Sequence, residues 1–199
     1  MSTDLLALSP AAQDLLFREA RTANTFSTEP VTDEQMRAVH ELIKYGPTAY
    51  NQCPLRIVLL RSAEAREKLV DLMDEGNRPK TATAPLTAVL AADFEFQEEL
   101  PALMPHFPQA KDVYFADRAG REESAYLNAA LQCAYFILGV RAAGLAAGPM
   151  TGFDVPGVRK EFLDDDHFPL MVVNIGKPGV DPWFPRSPRL AYEDVFTTL

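Results

Sequence analysis

Residues from about 121 to 143 read as one helix that is apolar on nearly every side, and the rest of the fold must accommodate it. Such a helix needs cover all round. Asn128, Gln132 and Arg141 interrupt its most apolar stretch, 125–147, and a bilayer-centred helix would not carry those residues without partners. The segment therefore reads as a core helix. A chain of 199 residues supplies cover for it poorly by itself, so a second subunit is expected.

The flanking segments supply the remaining layers. Ser9 before Pro10 starts a helix with Leu15, Leu16 and Ala20 on one face. Thr32 and Gln35 have capping-box spacing, and Met36, Val39 and Ile43 follow at helical intervals until Gly46-Pro47 stops the element. A short buried strand is expected at 56–60 and a helix over about 63–74 with Leu69, Leu72 and Met73 inward, broken by Gly76-Asn77. Further strands are expected at 86–92 and 170–175, the latter closed by Gly176 and Lys177-Pro178-Gly179. Residues 144–154 read as a glycine-punctuated loop. Pro101, Pro105 and Pro108 make 94–115 too proline-rich for one regular helix. With no repeat, low-complexity tract or compositional break, the expectation is a single domain over 1–199.

Charge and motif content narrow the chemistry. Nineteen Lys and Arg against 28 Asp and Glu give a net charge of −9, a field that repels polyphosphates and anionic lipid, so neither nucleic acid nor membrane is an expected partner. Cys53 and Cys133 offer no disulfide framework and fit a reducing, cytoplasmic setting. The start, Met1 to Leu6, has no basic region ahead of an apolar stretch and does not read as a secretory signal. Glycine-rich dinucleotide, P-loop and serine-hydrolase signatures are missing. His40, His106 and His167 are scattered, so no metal is expected.

Small, polar or cationic clusters at the ends of the expected elements carry the remaining signal. They are Arg21-Thr22-Ala23-Asn24-Thr25-Phe26, Pro47-Thr48-Ala49-Tyr50-Asn51-Gln52-Cys53-Pro54, Gly76-Asn77-Arg78-Pro79-Lys80, Gly148-Pro149-Met150-Thr151-Gly152-Phe153-Asp154, and the tail around Arg186-Ser187-Pro188-Arg189. In this order, with a core helix before the glycine-rich run, they resemble the nitroreductase-like flavoprotein family from about residue 21 to 195. Arg21-Thr22-Ala23-Asn24 and the run 148–154 are most similar to the malonic semialdehyde reductase branch of that family.

That resemblance implies an α+β, three-layer α/β/α fold with a central, mainly antiparallel sheet around a buried helix. It implies an obligate homodimer holding FMN at the subunit interface, with NADH or NADPH as hydride donor. Arg21 and Arg189 would take the phosphate, as guanidinium forks match phosphate oxygens. Thr22 and Asn24 belong to the same site, and Pro47, Thr48, Ala49 and Asn51 would meet the ribityl chain or ring edge. Asn77 and Lys80 would sit at the pyrimidine edge, the lysine offsetting the negative charge that reduction leaves there. Pro149, Met150, Thr151 and Gly152 would face N5 through backbone groups. No side chain is expected to act as a nucleophile. Ala23, Thr25, Cys53 and Leu55 depart from the family pattern, and Asn24 or Arg186 could make up the missing phosphate contact.

Each assignment has a plainer counterpart: a solvated surface arginine or lysine, a turn residue, an ordinary loop glycine. Residues 94–115 would form a substrate lid with His106 or Lys111 free for a carboxylate, or simply pack on the core. The implied reaction is reduction of a small aldehyde acid such as malonic semialdehyde. A broad nitro or quinone reductase and a flavin-binding dimer without turnover are the alternatives.

Overall fold

The computed structural model of the protein describes residues 5–199, so part of the N-terminal stretch discussed above lies outside the described residues. The first element is α1, Pro10–Gln13, with Ser9 Oγ accepting from the Ala12 amide and proline in its first turn. It opens directly into a π-helical turn, Asp14–Arg18. The expected face is buried only in part: Leu16 and Ala20 are half-buried, Leu15 is exposed, and the buried side chain is Gln13, whose Nε2 donates to Leu8 O at 2.6 Å. The wider π turn rotates Leu15 away from the core.

Helix α2, Asp33–Ile43, has the full reciprocal capping box, Thr32 Oγ1 accepting from Gln35 N and Gln35 Oε1 accepting from Thr32 N. Strand β1, Leu55–Leu60, leads into α3, Ala63–Leu72, and then into the six-residue α4, Arg78–Thr83. Strand β2, Leu86–Asp93, is buried throughout. Residues 94–117 are irregular apart from a short 3₁₀ turn and two helices of four and five residues, α5, Leu100–Leu103, and α6, Ala110–Tyr114. The 25-residue α7, Arg118–Ala142, follows. It ends on Gly144 at φ +70°, where the Leu145 amide bonds back to Val140 O, a left-handed cap that glycine adopts without strain. Strand β3, Ala146–Met150, helix α8, Val155–Phe162, strand β4, His167–Gly176, and a short α9, Tyr192–Val195, complete the order.

The four strands form one antiparallel sheet in the order β1-β2-β4-β3. Alternate residues of β2 and β4 divide between two cores. Leu86, Ala88, Leu90, Val173 and Ile175 pack with Val39 of α2 and Phe136 and Val140 of α7. Val89 and Val172 pack on the other face with Leu69 of α3, Val158 of α8, and Met73. These are the expected three layers. A third core joins Phe94, Phe96, Leu100, Ala110 and Phe115 to Ala125 and Ala129 at the start of α7.

Two corrections follow from the sheet order. β1 is an outer strand and is mostly half-buried, where full burial was expected. Residues 146–150, expected as loop, form the opposite outer strand. Their residue types disguise this: Gly148 and Pro149 are poor strand formers, and an outer strand tolerates a proline without its N–H. Glycine also suits the close approach of the strand to Ala23, since a Cβ at 148 would lie 3.0 Å from Ala23 O.

α2 and α7 meet closely through glycines. A Cβ at Gly139 would run into Ile43 Cγ2 and lie 3.0 Å from Val39 Cγ1, and one at Gly46 would enter the Tyr135 ring. Along its other side α7 exposes Leu127, Ala130, Leu131 and Ala134. No helix among the described residues is long and apolar enough to cross a membrane.

Candidate functional site

The expected site residues fall into two groups at opposite edges of the sheet. The first gathers where β3 ends. Asn77 Nδ2 donates to Gly152 O at 2.9 Å, and the Asp74 amide donates to the same oxygen at 3.1 Å. Gly152 lies so close that a Cβ there would be 2.5 Å from Asp74 Oδ2 and 2.8 Å from Asn77 Nδ2. Met150 is the last residue of β3, with Pro149 and Thr151 on either side of it. Lys80 is half-buried on α4, three residues beyond Asn77. The sequence places Asn77, Lys80 and 149–152 in separate clusters, and the fold makes them neighbours.

The run Arg21-Thr22-Ala23-Asn24 reaches the same strand from outside. It lies antiparallel to the segment after β4: Asn24 N donates to Pro182 O at 3.0 Å, Gly179 N to Thr25 O at 3.0 Å, and Ser27 N to Lys177 O at 2.9 Å. Thr25 Oγ1 adds a bond to Val180 O at 2.7 Å, so the residue at the family's second cation position is structural. Arg21 Nη1 donates to Phe184 O at 3.3 Å. Arg186 binds the carbonyls of Arg18 and Ala20, bringing a second guanidinium to this run. Arg189 does not join it: its Nη1 donates to the neighbouring Ser187 and Pro188 carbonyls. The expected Arg21–Arg189 pairing is therefore not formed within one chain.

The second group, residues 47–53, precedes β1 at the other edge. Tyr135 OH donates to Pro47 O at 3.0 Å, and the Ala49 amide donates to Asn128 Oδ1 at 2.7 Å, fixing the loop to α7. Thr48 Oγ1 accepts from Cys53 N at 3.2 Å, and Asn51 Nδ2 donates to Leu103 O at 2.8 Å. Tyr50, Asn51 and Cys53 have φ of 52°, 51° and 45°, left-handed values that cost non-glycine residues energy. The start of β1 pairs through Ala92 to Phe168, whereas Met150 at the end of β3 pairs with Val172. Strand spacing and rise then separate the groups by about 14 Å across the sheet and about 13 Å along it.

Electrostatics distinguish the two groups. In a chain of net charge −9, Arg21, Lys80, Lys177, Arg186 and Arg189 have no carboxylate within ion-pair distance among the described residues. Cations held away from carboxylates are available to an anionic ligand. Lys111, expected to be free for a substrate carboxylate, instead pairs with Glu98. Residues 94–115 contribute buried aromatic rings to the third core, so much of the expected lid is packing. Burial pushes the Cys133 thiol up to about 12, whereas Cys53 is half-exposed.

Sequence reasoning missed the residues that hold these groups in place. Asn128 is 2% exposed on α7 and carries the Ala49 bond; as a polar residue in an apolar helix, it was already a signal of a specific partner. Asn174, Thr81 and Thr87 form a buried network behind Met150, and nothing in their spacing announces it.

Residues 17–177 match the model of the Nitroreductase family. A Streptomyces griseus protein with the provisional name NADH dehydrogenase/NAD(P)H nitroreductase is 74% identical over 194 residues, 98% of this chain and 99% of that protein. Among solved structures, the provisionally named nitroreductase ydfN of Bacillus subtilis superposes with a TM-score of 0.86 at 22% identity, covering 96% of this chain and all of that one. A similarly named Exiguobacterium sibiricum protein, solved in complex with FMN, has a TM-score of 0.84 at 20% identity, covering 96% of this chain and 98% of that one. With the matched region spanning most of the chain and a relative this similar over nearly its whole length, the protein belongs to the nitroreductase family.

Proposed function

We propose that this chain is a cytoplasmic, single-domain FMN-dependent NAD(P)H oxidoreductase that works as a homodimer, with each flavin held by residues of both subunits. The separation of the two residue groups carries this reading. The cationic, glycine-lined group at β3 and the group at 47–51 lie at opposite edges of one sheet, and a second copy would bring one edge against the other. The exposed stripe Leu127, Ala130, Leu131 and Ala134 on α7 is the apolar surface such a partner would cover.

The donor set suits FMN. Arg21, with Arg186 close by and Arg189 from the tail, offers to a phosphate guanidiniums that pair with no carboxylate among the described residues. Thr22 and Asn24 line the same approach. Thr48 and Asn51, with Pro47 and Ala49 shaping the loop, face the ribityl chain or ring edge. Asn77 and Lys80 hold the pyrimidine edge, and Pro149, Met150, Thr151 and Gly152 leave the N5 side to backbone groups. Bound FMN supplies a two-electron carrier between a reduced nicotinamide and an acceptor. The chain binds, orients and excludes water; no side chain serves as nucleophile.

The donor reading is supported by the name of the Streptomyces griseus relative and the cofactor by the Exiguobacterium sibiricum structure. A small aldehyde acid such as malonic semialdehyde remains the proposed acceptor on the strength of Arg21-Thr22-Ala23-Asn24 and Gly148 to Asp154. The relatives' names favour a nitro compound. The test is the visible spectrum of the purified protein, followed by NADH and NADPH oxidation with each acceptor. Bound oxidised flavin and parallel double-reciprocal lines are expected. A colourless protein that takes up no FMN overturns the reading. Bound flavin with no acceptor turned over would instead favour a flavin-binding dimer.

A further inference from the structure

Three polar side chains lie fully buried behind Lys80. Thr87 Oγ1 donates to Asn174 Oδ1 at 3.0 Å, and Asn174 Nδ2 donates to Thr81 Oγ1 at 3.3 Å. The Thr81 hydroxyl and the Asn174 amide both point at Met150 Sδ, each at 4.0 Å. Thr81, Thr87 and Asn174 are all 0% exposed. Apolar residues of similar volume would fill this space without the cost of desolvating polar groups. A fully connected polar network in such a place specifies one arrangement of the elements that meet there.

Those elements are α4, β2, β4 and β3. Helix α4 is pinned at its start by Asn77 Nδ2 on Gly152 O and by Arg78 Nε on Met73 O at 2.9 Å. Thr81 pins its middle to Asn174 and Met150. Lys80 leaves the helix between the two pins, of which Asn77 leads to Gly152, just past the end of β3, and Thr81 to Met150, its last residue. With six residues, α4 has too little length to hold its own orientation.

We propose that Thr81 and Asn174 are positioning residues that fix α4, so that Lys80 presents its ammonium to the flavin edge where reduction leaves negative charge. This rests on the FMN reading above and adds to it the device that sets the strength of the lysine's effect. Neither residue touches the cofactor. Loosening the network lets Lys80 relax toward solvent and weakens its preference for the reduced form.

The test is the two-electron midpoint potential of bound FMN in Lys80→Met, Thr81→Val, Thr81→Ser and the Lys80→Met/Thr81→Val double variant, with thermal stability measured alongside. Lys80→Met is expected to lower the preference for reduced over oxidised FMN at least tenfold, about 30 mV for a two-electron couple. Thr81→Val should shift the potential the same way by less, and Thr81→Ser should restore it. In the Lys80→Met background Thr81→Val should add nothing, the non-additivity of residues acting as one unit. Thr81→Ala is the substitute if the valine variant does not fold.

A Thr81 variant that loses stability but keeps the wild-type potential, while Lys80→Met moves it, overturns the positioning role and leaves the FMN reading intact. Additive shifts in the double variant overturn it too. Lys80→Met at the wild-type potential removes the lysine from the flavin edge, and the positioning role falls with it.

Discussion

The Ala49 amide donates to Asn128 Oδ1 at 2.7 Å, and Asn128 Nδ2 donates in turn to Ser124 O at 2.9 Å, so a buried amide on α7 holds the loop that carries Asn51. Asn128→Leu keeps the volume and leaves the Ala49 N–H without its partner. A loss of about 1 kcal/mol in urea unfolding is expected, together with weaker FMN binding. FMN titration of the variant checks the second part, and an affinity equal to wild type would show that the loop holds its shape without this bond.

Among the described residues Arg21 has no carboxylate partner, and it donates to a backbone carbonyl at 3.3 Å. A charged hydrogen bond to phosphate is worth roughly 1.5–3 kcal/mol, so Arg21→Ala is expected to weaken FMN binding by about tenfold or more. An unchanged FMN dissociation constant removes Arg21 from the site.

A Cβ at Gly152 would fall 2.5 Å from Asp74 Oδ2 and 2.8 Å from Asn77 Nδ2. Gly152→Ala must push Asn77 off the 152 carbonyl, and because Asp74 and Asn77 meet it with the ends of flexible side chains the cost is expected to be that of the lost hydrogen bond, about 1 kcal/mol. Equilibrium unfolding of the apoprotein and FMN titration should both register the change. Wild-type values in both would mean that the 74–77 turn yields freely.

Leu127 and Leu131 are 66% and 43% exposed on one side of α7. If a second copy covers them, a Leu127→Glu/Leu131→Glu variant buries two carboxylates in an apolar contact and is expected to be monomeric in light scattering, with FMN lost alongside. A wild-type protein that itself scatters near 22.0 kDa at micromolar concentration would reject the dimer directly.

Glu95 is held below the ordinary carboxyl range, first by the Gln97 side chain and then by Arg121 and Arg118. A depressed carboxylate contributes stability that is complete above its unfolded pKa of about 4.3 and is lost as pH falls through the folded value. Glu95→Gln is therefore expected to be less stable than wild type at pH 7 and to approach it in acid, as read from urea midpoints between pH 3 and 7. A pH-independent gap would assign the effect to packing of the 94–117 segment.

The sequence carried the layers well because they rest on strong local signals: the reciprocal cap at Thr32 and Gln35, the run of β2, the length of α7. It hid β3, because Gly148 lies against Ala23 O and, like Pro149 and the alanines beside it, carries little strand propensity. The buried α8 face was missed for a related reason, since its Asp154 cap and Pro156 start follow directly on that disguised strand. Site residues were legible as a set of short runs in order. Their grouping was not, because which run meets which depends on sheet order, and sheet order is a property of long-range pairing.

Gly139 and Gly46 let two helices close to a distance that side chains would otherwise forbid. The loop at 47–53 begins where that contact ends, tied to Tyr135 and Asn128 on the helix opposite. The aim of Asn51 is thus inherited from a separation fixed by two absent methyl groups. Editing the loop alone can alter which groups it offers but not where it stands. A chain adapting this corner to a bulkier ligand would have to retune the helix contact first, which places the adjustable part of the site in its core.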